Sequence, residues 1–334
     1  MIPMRVIIVL WAVIGGALCS SANAELARTL YIDEDLFSGI ANDADYTGGL
    51  AVTFADDLVM GAGGVPRWIE QLDRMLGLHS PQHRYEIEVG AAAFTPQDIA
   101  DFQVVRGDRP YAGIVYASAT LIQAQGPSFS ATTTVTAGIL GSAFIPRVQR
   151  RVHRAMGSIQ PRGWHHQISD GGEGTLRLSH ELKWARPVAD LGGMQGQWLY
   201  RAGAGIGFVT DVSVGVAARI GQFSSARWDI HSSPTGLSDR SMFDRSDQRA
   251  RFLYVTMSAR VPLYNAFLQG QFRDSEVTMS ARQRRYLVPD ASLGFVLGLP
   301  KGRDLHYFLR AQRSDARLER RSETFVYAGV ALSW

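Results

Sequence analysis

FVYAGVALSW, residues 325–334, places Val326, Ala328, Val330, Leu332 and Trp334 on one face of an extended chain and stops on the aromatic residue. Apolar side chains at every second position mark a strand whose two faces meet different surroundings. Working outward from this segment, the same period recurs. In Thr175 to Trp184, Leu176, Leu178, His180, Leu182 and Trp184 oppose Thr175, Arg177, Ser179, Glu181 and Lys183. In Phe252 to Val261, Leu253, Val255, Met257, Ala259 and Val261 oppose Tyr254, Thr256, Ser258 and Arg260, while Tyr85, Ile87 and Val89 oppose Glu86 and Glu88. A sandwich buries an apolar inner face, whereas charge on the inner face of several strands suits a closed barrel with a polar lumen and an apolar outer band.

Twelve such segments are expected, near residues 29–37, 47–55, 83–94, 111–124, 129–140, 174–186, 197–209, 211–221, 251–262, 288–299, 304–313 and 323–334. An even number is what a single-chain membrane barrel requires. A final amphipathic strand ending in an aromatic carboxyl terminus resembles the assembly signal of bacterial outer-membrane barrels. At the other end, Arg5, the apolar run Val6 to Leu18 and Ala22-Asn23-Ala24 form a secretory signal peptide, residues 1–24, expected to be cleaved after Ala24. Residues 25–334 then make one transmembrane antiparallel barrel domain, all-β, with a short helix in one loop. Cys19 is the only cysteine and falls in the leader, so neither disulfides nor thiolate chemistry are expected. No later apolar run approaches the roughly 18 residues of a membrane helix. The net charge is +3, and only Lys183 and Lys301 among the 34 cationic side chains are lysine. Arginine preference suits bidentate phosphate recognition and equally reflects coding composition. No nucleic-acid partner is expected, and the protein is read as a monomer among outer-membrane lipids.

The stretch IPRVQRRVHRAMGSIQPRGWHHQ, residues 145–167, reads as helical at its start and carries His153. Ile145, Val148, Val152 and Met156 recur at helical spacing as the expected buried stripe, with Gln149 and His153 on a different face. Arg147, Arg150, Arg151 and Arg154 add four charges. Taken alone, this is either a solvated basic helix or a site. With both termini periplasmic, the first, third and fifth connections (38–46, 95–110 and 141–173) share the outer rim, so polar residues of the first two can converge on His153. In the first, Glu34 and Asp35, with Asn42, Asp43 and Asp45 nearby, supply oxygen ligands for a hard cation such as calcium, or are ordinary turn residues. In the third, RGDRPYAG (106–113) lets Asp108 pair with Arg109 and sets Tyr111 at an interface. Gly203-Ala204-Gly205-Ile206-Gly207 lies inside a strand with no helix following and is not a nucleotide site. No G-x-S-x-G or H-E-x-x-H motif occurs.

Taken in order, DEDLF (33–37), DYTGGL (45–50), GDRPYAG (107–113), VQRRVHRAMG (148–157), GWHHQI (163–168) and FLQG (267–270) resemble the family of outer-membrane lipid A 3'-O-deacylases. The resemblance implies a twelve-stranded barrel that hydrolyses the ester holding the 3'-acyloxyacyl group of lipid A and depends on calcium. It implies a catalytic histidine at His153 and an active-site threonine at Thr47. The family's Asn-Asp pair falls on Glu34 and Asp35, an Asn-to-Glu departure, with Asn42-Asp43 an alternative match; a lysine of the family's site has no counterpart. On this reading His153 activates water, and Asp35 and Glu34, with Asp45, hold Ca²⁺. Gln149, Arg109, Arg150 and Arg154 bind the lipid A of lipopolysaccharide. Alternatives are an outer-membrane phospholipase, expected to use a serine, and a non-catalytic porin-like barrel.

Overall fold

The computed structural model describes residues 27–38, 45–55, 67–188, 192–223, 229–233, 235, 239–242, 250–300, 302–317 and 324–334. The expected signal peptide, residues 1–24 with Cys19, and Asn42 and Asp43 lie outside these residues. Twelve strands close an antiparallel barrel: β1 (Ala27–Glu34), β2 (Asp45–Ala55), β3 (Gln82–Thr95), β4 (Ala112–Ala124), β5 (Phe129–Leu140), β6 (Glu173–Val188), β7 (Gln195–Gly207), β8 (Val209–Gln222), β11 (Arg251–Asn265), β12 (Val288–Leu299), β13 (Arg303–Arg313) and β14 (Thr324–Ser333). Between β8 and β11 a small separate hairpin pairs β9 (Asp229–Ser232) with β10 (Asp239–Met242). Three α-helices interrupt the meander among the described residues: α1 (Arg67–Met75), α2 (Phe144–Met156) and α3 (Ala266–Gln269). Closure is made by β1 against β14, with Thr29 opposite Ser333 and Glu34 opposite Ala328.

Every expected strand is present. The first is shorter than expected, because after Glu34 the chain turns into a 3-10 helix, Asp35–Ser38, closed by the Ser38 hydroxyl on the Asp35 carbonyl at 2.6 Å. The hairpin and α1 have no counterpart in the sequence reading.

One parity of each strand fills the lumen. Tyr46, Phe94, Tyr116, Tyr254, Phe308 and Tyr327 on the strands, and Phe208 between β7 and β8, belong to a single buried cluster that α3 completes by inserting Phe267, 4.8 Å from the Phe94 ring. The lumen also holds buried charge. Arg177 binds Asp211 at 2.8 Å, Lys183 lies 3.6 Å from Glu181, and Arg310 binds Asp290 at 2.7 Å. The opposite parity, including Leu176, Ile206, Val214, Leu253, Met257 and Leu293, is exposed and apolar. This is the inverted distribution of a membrane barrel, whose outer solvent is hydrocarbon. No helix among the described residues is long and apolar enough to cross a membrane; the strands do so.

Candidate functional site on the outer wall

The rim opposite the chain ends carries the connections after β1, β3 and β5, and α2 belongs to the last of these. It lies outside the barrel. Ile145 is buried with Ile99, Tyr111 and Trp164 against Ala91, Ala93 and Val115, all of the outward parity of β3 and β4. Small wall residues allow this approach: a Cβ on Gly113 would stand 2.9 Å from Ile145 Cγ1. The helix stops at Gly157, whose φ of 70° is available to glycine at no steric cost.

The buried face of α2 is Ile145, Pro146, Gln149 and His153. This corrects the expected stripe: Val148 is 40 % exposed, and Val152 and Met156 are only partly covered. Helical periodicity assumes water on the far side, whereas α2 sits on a lipid-facing wall and turns its polar pair inward. His153 is wholly buried, with Nδ1 2.5 Å from the Ile159 carbonyl oxygen. A carbonyl only accepts, so Nδ1 carries the hydrogen and Nε2 is the basic nitrogen. One turn earlier, Gln149 accepts the Trp164 Nε1 hydrogen on Oε1 at 2.5 Å. That bond fixes which end of the amide is oxygen, and the buried Gln149 Nε2 has no hydrogen-bond partner among the described residues.

Thr47 sits at an irregularity in the β2–β3 register, between Tyr46 and Gly48. The extra residue turns its side chain outward, where Oγ1 lies 2.8 Å from Oγ1 of Thr95. Both threonines are buried. Glu34, of opposite parity to lumen-facing Asp33, runs over Gly48: its Cγ is 3.3 Å from where a Cβ on that glycine would be. Asp35 follows, buried, as the first residue of the 3-10 turn. Glu34 on β1, Thr47 on β2, Thr95 on β3 and α2 over β3 and β4 thus occupy consecutive positions around one rim, outside the barrel.

Other expected site residues are placed elsewhere. Arg109 turns into the lumen, where it ion-pairs with Asp45 at 2.5 Å, its guanidinium 4.5 Å above the Phe94 ring. Asp45 is therefore spent on Arg109 rather than joining Glu34, and Arg109 is a buried lock rather than an open phosphate ligand. Asp108 does not pair with the Arg109 side chain; it accepts the backbone N–H groups of Gln97 and Arg109. Tyr111 is buried against Trp164 rather than interfacial. Arg147, Arg150, Arg151 and Arg154 are exposed on the side of α2 away from His153. Trp164 and Thr95 were missed as site residues; the only signals were a tryptophan beside two histidines and a threonine closing a strand before Pro96.

Among the described residues no three His, Cys, Asp or Glu side chains converge. Glu34 and Asp35 are successive carboxylates at the end of β1, oxygen donors of the kind calcium takes, which completes its shell with carbonyls and water.

A closed, charge-filled barrel with an apolar outer belt defines an outer-membrane β-barrel protein, here with a polar site on its outer wall. The chain belongs to the family described as outer membrane protein LpxR, whose model matches residues 6–334. It is similar in structure to LpxR from Salmonella typhimurium, at 14% identity with a TM-score of 0.68, covering 92% of this chain and 99% of that one. More distantly it is similar to the β domain of the Bordetella autotransporter BrkA (6% identity, TM-score 0.40, 92% and 97% covered). The translocator domain of the autotransporter NalP from Neisseria meningitidis stands at a comparable distance (9% identity, TM-score 0.42, 99% and 98% covered). No curated protein matches the chain.

Proposed function

We propose that this protein is a lipid A deacylase that hydrolyses the ester holding the 3'-acyloxyacyl group, with His153 as the general base. The observation that supports this most is the histidine itself: fully buried on the lipid side of the wall, with its tautomer set by the Ile159 carbonyl. His153 Nε2 takes a proton from water, and the hydroxide so formed adds to the ester carbonyl carbon. Gln149 Nε2 donates to the oxyanion, its orientation held by Trp164. Collapse expels the sugar oxygen, which takes the proton back from His153, leaving a free acyloxyacyl acid and a 3'-hydroxyl. Thr47, steadied by Thr95, orients the water. Glu34 and Asp35 would hold calcium, which when bound supplies a Lewis-acid charge beside the carbonyl. The exposed arginines of α2, Arg150 and Arg154 among them, meet the lipid A phosphates from the outside.

The test is the mass of lipid A from membranes incubated with the protein. Loss of one 3'-acyloxyacyl unit in calcium, and none in chelator, is expected. Unchanged lipid A would overturn the proposal, and fatty acid released from glycerophospholipid instead would assign a phospholipase.

A further inference from the structure

The outward parity of β4, β5 and β6 includes three polar residues near the rim that bears the chain ends: Gln123, Thr133 and His180. On a membrane barrel those positions face hydrocarbon, where unpaired polar groups are costly. Here α1 lies over them. Its Asp73, wholly buried, accepts from Gln123 Nε2 at 2.5 Å and from the Thr133 hydroxyl at 2.6 Å. Thr133 in turn accepts from His180 Nδ1 at 2.8 Å. One turn earlier Ile69, fully buried, packs on Leu121 with Tyr85, Ala119 and Val135, all outward-facing wall residues. Glu70 Oε1 accepts the Tyr85 hydroxyl at 2.5 Å. The helix is therefore clamped to the outside of the barrel by both apolar and polar contacts.

Its other side is open and sets large apolar side chains beside exposed Gln71 and Arg74. Trp68 is 46 % exposed, Met75 84 %, and Leu76, just past the helix end, 56 %. On the neighbouring strands, Trp184, Trp198 and Tyr200 project from the same wall, with Phe129 5.7 Å from Trp184. Aromatic side chains gather where a bilayer's hydrocarbon meets its headgroups, so α1 is continuous with the lipid-facing belt.

We propose that α1 is an interfacial anchor: it seats Trp68, Met75 and Leu76 in the glycerophospholipid leaflet on the periplasmic side, and the Asp73 clamp holds it there. Wall strands and clamped helix make one rigid surface, so the leaflet contacts a helix as well as strands on that side of the barrel. This inference rests on the barrel and its membrane, not on the deacylase reading.

With Cys19, the only native cysteine, replaced by serine, a single nitroxide label at Met75→Cys reports on α1 alone. In vesicles of phosphatidylethanolamine and phosphatidylglycerol, the label is expected to collide with oxygen and to be shielded from a water-soluble nickel chelate. A label at Phe102→Cys, exposed at the opposite rim, should show the reverse. Chelate access at Met75 equal to that at Phe102 would overturn the proposal, as would dipolar broadening showing that a second copy covers the site. In Asp73→Leu, the label should become chelate-accessible while the barrel keeps its heat-dependent gel shift. Undiminished shielding in that variant would remove the clamp from the argument, and if the variant does not assemble, the native-chain labels alone decide.

Discussion

His153 and Gln149 stand four residues apart on one helix, and each is held by a different partner from beyond that helix, the Ile159 carbonyl and the Trp164 indole. On the proposed mechanism such bonds make two ordinary side chains a base and a donor of fixed orientation. His153→Ala should abolish deacylation without loss of the folded barrel. Gln149→Ala should lower the rate by about 10² to 10³, the usual value of one oxyanion donor. Trp164→Phe keeps the ring packing and removes one buried hydrogen bond worth about 1 kcal/mol. It should cost roughly tenfold or less, and a loss as large as that of His153→Ala would mean that Trp164 supports more than the amide. Glu34 stands where the family resemblance implies an asparagine. If the carboxylate ligates calcium, Glu34→Asn removes a ligand charge and shifts half-activation to roughly tenfold higher calcium, leaving the rate at saturation nearly unchanged. A calcium titration of lipid A mass decides it. At this scale the sequence was legible in part. The histidine, the threonine and the Gln149–His153 face could be read from spacing and resemblance. Asp45 could not be placed, because it stands beside a slipped register between β2 and β3, and Arg109 could not, because it lies in a connection where no alternation sets its side.

The strands were the legible elements, since alternation survives in every one and a barrel has no competing pattern. The helices were harder for a common physical reason. α2 was found, but its buried face was misassigned. α1 was not found at all, although its role explains three polar residues on a lipid-facing wall. In both cases the helix packs on a membrane-facing surface, where apolar residues belong outside as well as inside, so amphipathicity no longer points to the core. The seat of α2 on the wall is itself testable. Gly113→Val would push branched carbons into Ile145, whose side-chain atoms lie 2.9–3.1 Å from an ideal Cβ there. The helix must lift, and a displacement of about 1 Å can cost 10²-fold in rate. The expected result is a barrel with normal heat-modifiability and at least tenfold less lipid A turnover. Full activity would mean that the position of the helix on β4 is not what sets the base.

For the whole molecule the informative quantity is what fills the lumen. Charges of inner parity were readable from the alternation, and taken alone they fit a water-filled pore as well as a packed interior. Their pairing was not readable, because the partners lie far apart in sequence: Arg177 with Asp211, and Arg260 with the same carboxylate at 3.9 Å. Lys183 is wholly buried and donates to Thr132 at 2.9 Å. The aromatic cluster and Phe267 fill the lumen alongside these charges. On the proposed function, a lipid substrate reaches a barrel packed in this way laterally at its outer surface and not through its axis. In a planar bilayer the purified protein should therefore give no stepwise porin-like conductance; steady channel openings would favour the porin reading. Removing the shared carboxylate by Asp211→Ala would leave two buried guanidinium groups uncompensated, a loss of about 3–5 kcal/mol for a broken buried pair. The midpoint of guanidinium unfolding should fall accordingly, whereas lipid A deacylation by the still-folded fraction should not, because Asp211 lies in the lumen of β8 and His153 lies outside β3 and β4.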